Sequence, residues 1–287
     1  MLEFGTMALS MIALSKAIFF VYCAGTLYLL WRRKGAVAHM LLTTIAIVIM
    51  YVVLAWPLTT MWWGNSGDEN LILAFFTQVL HGNLFRDFYH AWLPPYYPPL
   101  YFWITGTVAR LFTVNAVQAA KLGTALVLGL WFAAPFALRN LFSRFDVSKQ
   151  FDETARLPWF WFLAPFVFLL MIDFDAIITK PYEVLPALLV ALFTGLLAHA
   201  LSYERWTIAH FLFFGIAGGI LFMTFYFWLF IALASLLVVA VFSKYRMRSV
   251  ARVILTGVVI AVVSSPYLAP LLISYVRSGG ENWQGHF

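Results

Sequence analysis

Charge is what this chain has least of. Only 10% of its 287 residues are Asp, Glu, Lys or Arg, whereas a soluble globular domain carries roughly a quarter. So few charges exclude a water-soluble globule of this size, and 63% of the residues are hydrophobic. Cysteine is nearly absent too. The single thiol, Cys23, excludes an intrachain disulfide and any metal site built on paired thiolates. No run shows the apolar–polar alternation of a barrel strand, and neither an internal repeat nor a low-complexity tract is visible. The formal net charge of +6 comes from Lys and Arg scattered over short loops rather than gathered in a patch, which argues against nucleic acid as a partner.

Long apolar runs fill the rest. Several reach the ~20 residues that a helix needs to cross the hydrocarbon core. The expectation is an all-α polytopic membrane protein, with one transmembrane domain over 1–287. Candidate helices lie at 7–31, 36–61, 98–113, 117–139, 158–172, 183–201, 208–223, 226–243 and 251–273. The first lacks a basic leader and a small-residue cleavage pattern, so it reads as a retained span. Basic loops at 31–34, 139–156, 203–205 and 244–252 belong to the cytoplasm by the positive-inside bias. Two full crossings between 98 and 139 would contradict that bias. The shorter run, 98–113, opens with Pro98-Pro99 and ends at Arg110, so it is expected to be interfacial or re-entrant. About eight crossings remain, with the N-terminus outside. An external loop 139–156 stays open as an alternative, because Asp146, Asp152 and Glu153 dilute its charge. The chain stops soon after Gly279-Gly280, which leaves open that it is the N-terminal part of a longer protein.

With this topology the polar chemistry collects on the outer face. The loop 62–97 contains "GNSGDENLILAFFTQVLHGNLFRDFYHAWLPPYY". Trp62 and Trp63 belong at the membrane interface, and the run after Asp68 and Glu69 is amphipathic, so this acidic pair is expected near the headgroups. The carboxylates also suit an ordinary helix start. His81, Arg86, Asp87 and His90 crowd the next stretch, where the alternatives are a binding cluster and solvated loop charges. Four prolines stiffen the segment around Tyr96 and Tyr97, as the wall of a substrate cavity would require. In "MIDFDAIITKPYEV", Asp173, Asp175, Lys180, Tyr182 and Glu183 interrupt a helix hairpin. Ionisable groups at such depth are by default functional or paired. Lys16 and Lys121 lie near apolar runs from which either can snorkel to a surface. Thr224, Tyr226, Trp228 and Tyr267 suit either a cavity lining or packing. Carboxylate oxygens would suit a hard divalent cation, which stays open as a cofactor although no ligand spacing is diagnostic.

The acidic pair in the first long external loop, the amphipathic helix ending in "HGNLFRDF" and the segment "YYPPLYFWITGTVARLF" together resemble the GT-C superfamily of membrane glycosyltransferases. The resemblance covers roughly residues 50–200. "LPPYYPPLYFWITG" is similar to a stretch of actinobacterial cell-wall arabinofuranosyltransferases, and Pro99-Leu100 also fits the form found in aminoarabinose and mannosyl transferases. The resemblance implies a helix bundle whose long first external loop carries juxtamembrane helices. It implies sugar transfer from a polyprenyl-phosphate donor to a glycan acceptor at the outer face of the plasma membrane. By position it makes Asp68 the catalytic base, with Glu69 as its partner and Asp87 as a second acid. Arg86, His90, Tyr96, Tyr97, Asp173, Asp175, Lys180, Tyr182 and Glu183 become substrate-binding candidates, Lys180 toward the donor phosphate. A transporter or flippase of lipid-linked sugar is the rival of another class, and a non-catalytic scaffold the third.

Overall fold

In the computed structural model the described residues are 2–32, 36–61, 68–87, 97–112, 114–144, 174–243 and 245–277. Every regular element among them is an α-helix. In chain order these are α1 (Leu2–Trp31), α2 (Ala36–Ala55), α3 (Asp68–Leu80), α4 (Leu100–Leu111), α5 (Ala116–Arg144), α6 (Phe174–Thr179), α7 (Pro181–Leu201), α8 (Ile208–Phe242), α9 (Arg246–Val263) and α10 (Ser265–Arg277). Leu9–Trp31, Val37–Ala55, Pro181–Leu201 and Ile208–Phe242 are long and apolar enough to cross a membrane, and the count reaches six if α4 with α5 and α9 with α10 each form one broken span. This is the architecture of a multi-pass helical membrane protein.

Two of the expected helices differ from the sequence reading. Helix α2 stops at Ala55 instead of 61, because Pro57 disfavours a helical Trp56 and has no N–H to donate. The run 251–273 is two helices bent by 84°. Pro266 explains this break: it has no N–H for the carbonyl four residues back, and its ring crowds that carbonyl. Helix α4 spans 12 residues, or about 18 Å of helix, too short to cross a ~30 Å core alone. The run 158–172 lies outside the described residues.

The chain divides into two compact units, Met1–Asn70 with Val117–Pro181, and Leu71–Ala116 with Tyr182–Phe287. In the first, α1 meets α2 where the Tyr22 and Thr43 hydroxyls lie 3.3 Å apart. Helices α2 and α5 run antiparallel. Lys121 of α5 donates to the carbonyl of Leu58, Tyr51 bonds Thr124, and Gly129 faces Val48.

The second unit turns on one residue. Phe225, inside α8, has φ −164° and ψ 98°, an extended backbone within a helix. A straight 35-residue helix would be about 52 Å long. Yet Val238, Val239 and Phe242 at its end share one cavity with Ala198, Leu201 and Ser202, which precede its start. The Phe222 ring also lies 5.8 Å from that of Phe230 across the break. The chain therefore folds back at Phe225 into halves 208–224 and 226–242, each about 25 Å long. Helix α9 then runs parallel to the first half. Gly215 faces Val259 and Gly219 faces Val263, so closely that an added Cβ would lie 2.1 and 2.4 Å from the nearest valine methyls. Small residues at this spacing let helix backbones approach in lipid, where packing rather than water expulsion drives association.

Candidate functional site

Helix α3 buries Ile72, Phe75, Phe76 and Val79, the i, i+3, i+4, i+7 spacing of one helical face. That face meets α4, which buries Tyr101, Phe102, Thr105, Gly106 and Ala109. Gly106 is the point of closest approach: a Cβ there would lie 2.4 Å from Val79 Cγ1. Above it, Phe75 and Phe102 stack at 4.3 Å with planes 10° apart. The loop leaving α3 turns at Gly82, whose φ of +86° suits glycine. The Trp103 indole N–H then ties that loop to α4 through the Leu84 carbonyl at 2.6 Å.

Around this pair the second unit assembles an aromatic end. Pro181 opens α7 at a position that needs no N–H, and sets Tyr182 on its first turn. The Tyr182 ring lies 5.5 Å from Phe102, 6.3 Å from Tyr97 and from Tyr101, and 6.4 Å from Phe225. Tyr226 and Phe230 close on Phe222 from beyond the break, and Tyr267 approaches Phe222 from α10. The opposite end of the same bundle holds Arg252, whose guanidinium donates to the carbonyls of Tyr203 at 2.7 Å and Glu204 at 2.8 Å and lies over the Trp206 ring. Aromatic contacts thus gather at one end of α7 and the arginine cluster at the other.

Several sequence-predicted residues can now be placed. Tyr97 and Tyr182 come together, in unit two. Asp87, in the same unit, is 1% exposed, while its neighbour Arg86 is exposed. A solvated loop charge therefore does not describe Asp87. Glu69, in the first unit, is 3% exposed, which a solvated cap would not be. Asp68 opens α3. Asp175 lies in α6, and Lys180 and Glu183 are half-buried on either side of the start of α7. His90, Tyr96 and Asp173, and the side chains of Asp68 and Asp175, lie outside the described residues. His81 is exposed and its Nδ1–H donates to the Thr77 carbonyl, a local helix-end bond. Thr224 bonds the Ile220 carbonyl, and Tyr267 is buried with its ring beside that of Phe222.

One residue corrects the expectation outright. Lys121 does not snorkel: it is 3% exposed and bonds the Leu58 carbonyl. A buried ammonium in an apolar helix is costly, and functional or paired roles are the usual reasons for one. Its neighbours Ala119 and Ala120 are fully buried, and this run of small residues around a lysine was the signal in the sequence. Among the described residues no group of three or more His, Cys, Asp or Glu side chains is placed to hold a metal ion. Thr105, buried in α4, has no hydrogen-bond partner for its hydroxyl among the described residues, so the α3–α4 pair holds a polar atom that packing alone does not explain. When the chain is compared with known proteins, no family model matches it, and no curated protein is significantly similar to it.

Proposed function

We propose that the protein is a GT-C-type glycosyltransferase that takes a sugar from a polyprenyl-phosphate donor and passes it to a cell-envelope glycan at the outer face of the plasma membrane. The observation that carries this reading is the burial of Glu69 and Asp87, one at the start of α3 and one beyond its end. Carboxylates withdrawn from water in a membrane protein need a task or a partner, and these two belong to the loop that resembles the superfamily's catalytic loop. The positive-inside bias supports an outer aromatic end, because exposed Arg205, Arg246 and Arg248 flank the opposite end of α7 and α8.

In the proposed reaction a carboxylate, Asp68 by position, accepts the proton of an acceptor hydroxyl as that oxygen attacks the anomeric carbon. The bond to the lipid phosphate breaks as the new glycosidic bond forms. A cation then balances the phosphate charge, for which Lys180 and Arg86 are the choices by position. Direct displacement inverts the anomeric centre. Arabinofuranose is the favoured sugar, with mannose and aminoarabinose as the other choices. The test is transfer of radiolabelled sugar from decaprenyl-phosphoryl arabinose to a galactan-like acceptor in membranes. Wild type should transfer with inversion, and Asp68→Asn and Asp87→Asn should each lose at least ~100-fold, the scale of one acid–base group. Retention of configuration, or full activity in both variants, would refute the mechanism.

A transporter of lipid-linked sugar is the second reading. It is favoured by the extended Phe225 and the bend at Ser264, since interrupted helices are common at transport sites. Sugar flux across vesicles without covalent transfer would select it.

A further inference from the structure

At the arginine end of the second unit, a cavity of about 570 Å³ opens between the end of α7 and the returning half of α8. Its size is that of a small-molecule site, ~300–1,000 Å³. Its walls are Ala198, Leu201, Val238, Val239 and Phe242. Val238, Val239 and Phe242 are 58, 47 and 85% exposed, so in a bilayer this wall faces hydrocarbon.

The polar groups of the cavity are at its loop end: Ser202, Ser243 and Tyr245. Both serine hydroxyls spend their hydrogens inside the protein. Ser202 donates to the His199 carbonyl at 2.6 Å, and the Ser243 Oγ lies 2.8 Å from the Ala240 carbonyl and from Ser249 Oγ. A sugar or nucleotide would find too few donors here to replace its water, whereas a hydrocarbon chain needs none. Immediately beyond Tyr245 come Arg246 and Arg248, both exposed, and Arg205 is exposed on the neighbouring loop. No Asp or Glu occurs between residues 205 and 280. The sole acid of the loop between α7 and α8 is Glu204, whose carbonyl is bound by the buried Arg252.

We infer that this cavity is a binding site for an anionic phospholipid, one acyl chain lying along Val238 and Val239 and the phosphate meeting Arg246 and Arg248. Apolar walls with exposed arginines in the next residues of the chain are the chemistry that anionic headgroups select. The site is independent of the transferase reading, since it lies at the far end of α7 from the aromatic residues.

The experiment is native mass spectrometry of the full chain released from nanodiscs of equal phosphatidylglycerol and phosphatidylcholine. Wild type should retain phosphatidylglycerol. Arg246→Gln/Arg248→Gln should lower that preference by roughly 30-fold, about fivefold per basic residue at a lipid surface. Val239→Trp, which fills the cavity from its lipid side, should release both lipids while keeping the wild-type circular dichroism and thermal transition. Equal retention of the two lipids by wild type would overturn the proposal. So would retention of phosphatidylglycerol by Val239→Trp, or a preference left unchanged by the double glutamine variant.

Discussion

Two glycines on one helix and one on its neighbour allow the proposed packing of the second unit to be weighed. At Gly215 an added methyl would lie 2.1 Å from Val259 Cγ1 and 2.6 Å from Val259 Cβ. A rotamer change can move the Cγ1, but the Cβ is fixed to the backbone and valine is stiff at χ1. To restore an ordinary contact of 3.4 Å or more, α8 and α9 must therefore part by about 0.8 Å, and overpacking of this kind costs ~1–3 kcal/mol. Gly257, on α9 itself, has nothing within 4 Å of its added Cβ. There Gly→Ala collects only the helix-propensity gain, about 0.5–1 kcal/mol. Both variants receive that gain, so their difference isolates the packing cost. Thermal unfolding in detergent, followed by circular dichroism, should show Gly257→Ala slightly above wild type and Gly215→Ala below Gly257→Ala by several °C, at ~2–4 °C per kcal/mol for a chain of this order. Equal transitions for the two alanine variants would mean that α8 and α9 are not in contact along Gly215 and Gly219.

Two further outcomes test the same unit. If α8 folds back at Phe225, Arg205 and Arg248 lie on one side of the membrane; on a Cys23→Ser background, Arg205→Cys and Arg248→Cys should both react with an impermeant maleimide from that side, and labelling from opposite sides would restore a continuous helix. Arg252→Lys keeps the charge but loses the planar fork that reaches the Tyr203 and Glu204 carbonyls while covering Trp206; it should cost about 1.5–3 kcal/mol, read as a lowered thermal midpoint, and an unchanged midpoint would reduce Arg252 to a surface charge.

The class of protein and most of its helices were legible from the chain because burial in lipid imposes a one-dimensional rule: ~20 apolar residues per crossing. The turn near Thr224-Phe225-Tyr226 was legible for the same reason, since α8 carries too many apolar residues for one ~30 Å core. The break within 251–273 was missed although Pro266 stands in plain view, because hydropathy does not register a proline between apolar neighbours. Arg86 and Asp87 are adjacent and equally polar, and nothing local says that one is exposed and the other 1% exposed. The burial of Lys121 was not legible, because whether a lysine can snorkel depends on how far a surface lies from its Cα atom, which is a distance in space.

Composition and hydropathy thus determined by themselves that this chain is helical and crosses a membrane several times. Those properties follow from the free energy of moving each residue between water and lipid, a sum over single side chains. Tertiary structure alone decided that Tyr97, Phe102, Tyr182 and Phe225 share one end of the bundle, that Glu69, Asp87 and Lys121 face inward, and that Arg252 closes the other end. These depend on which faces of which helices meet, and in lipid that choice is made by close packing of shapes such as Gly215 against Val259, which no single residue carries.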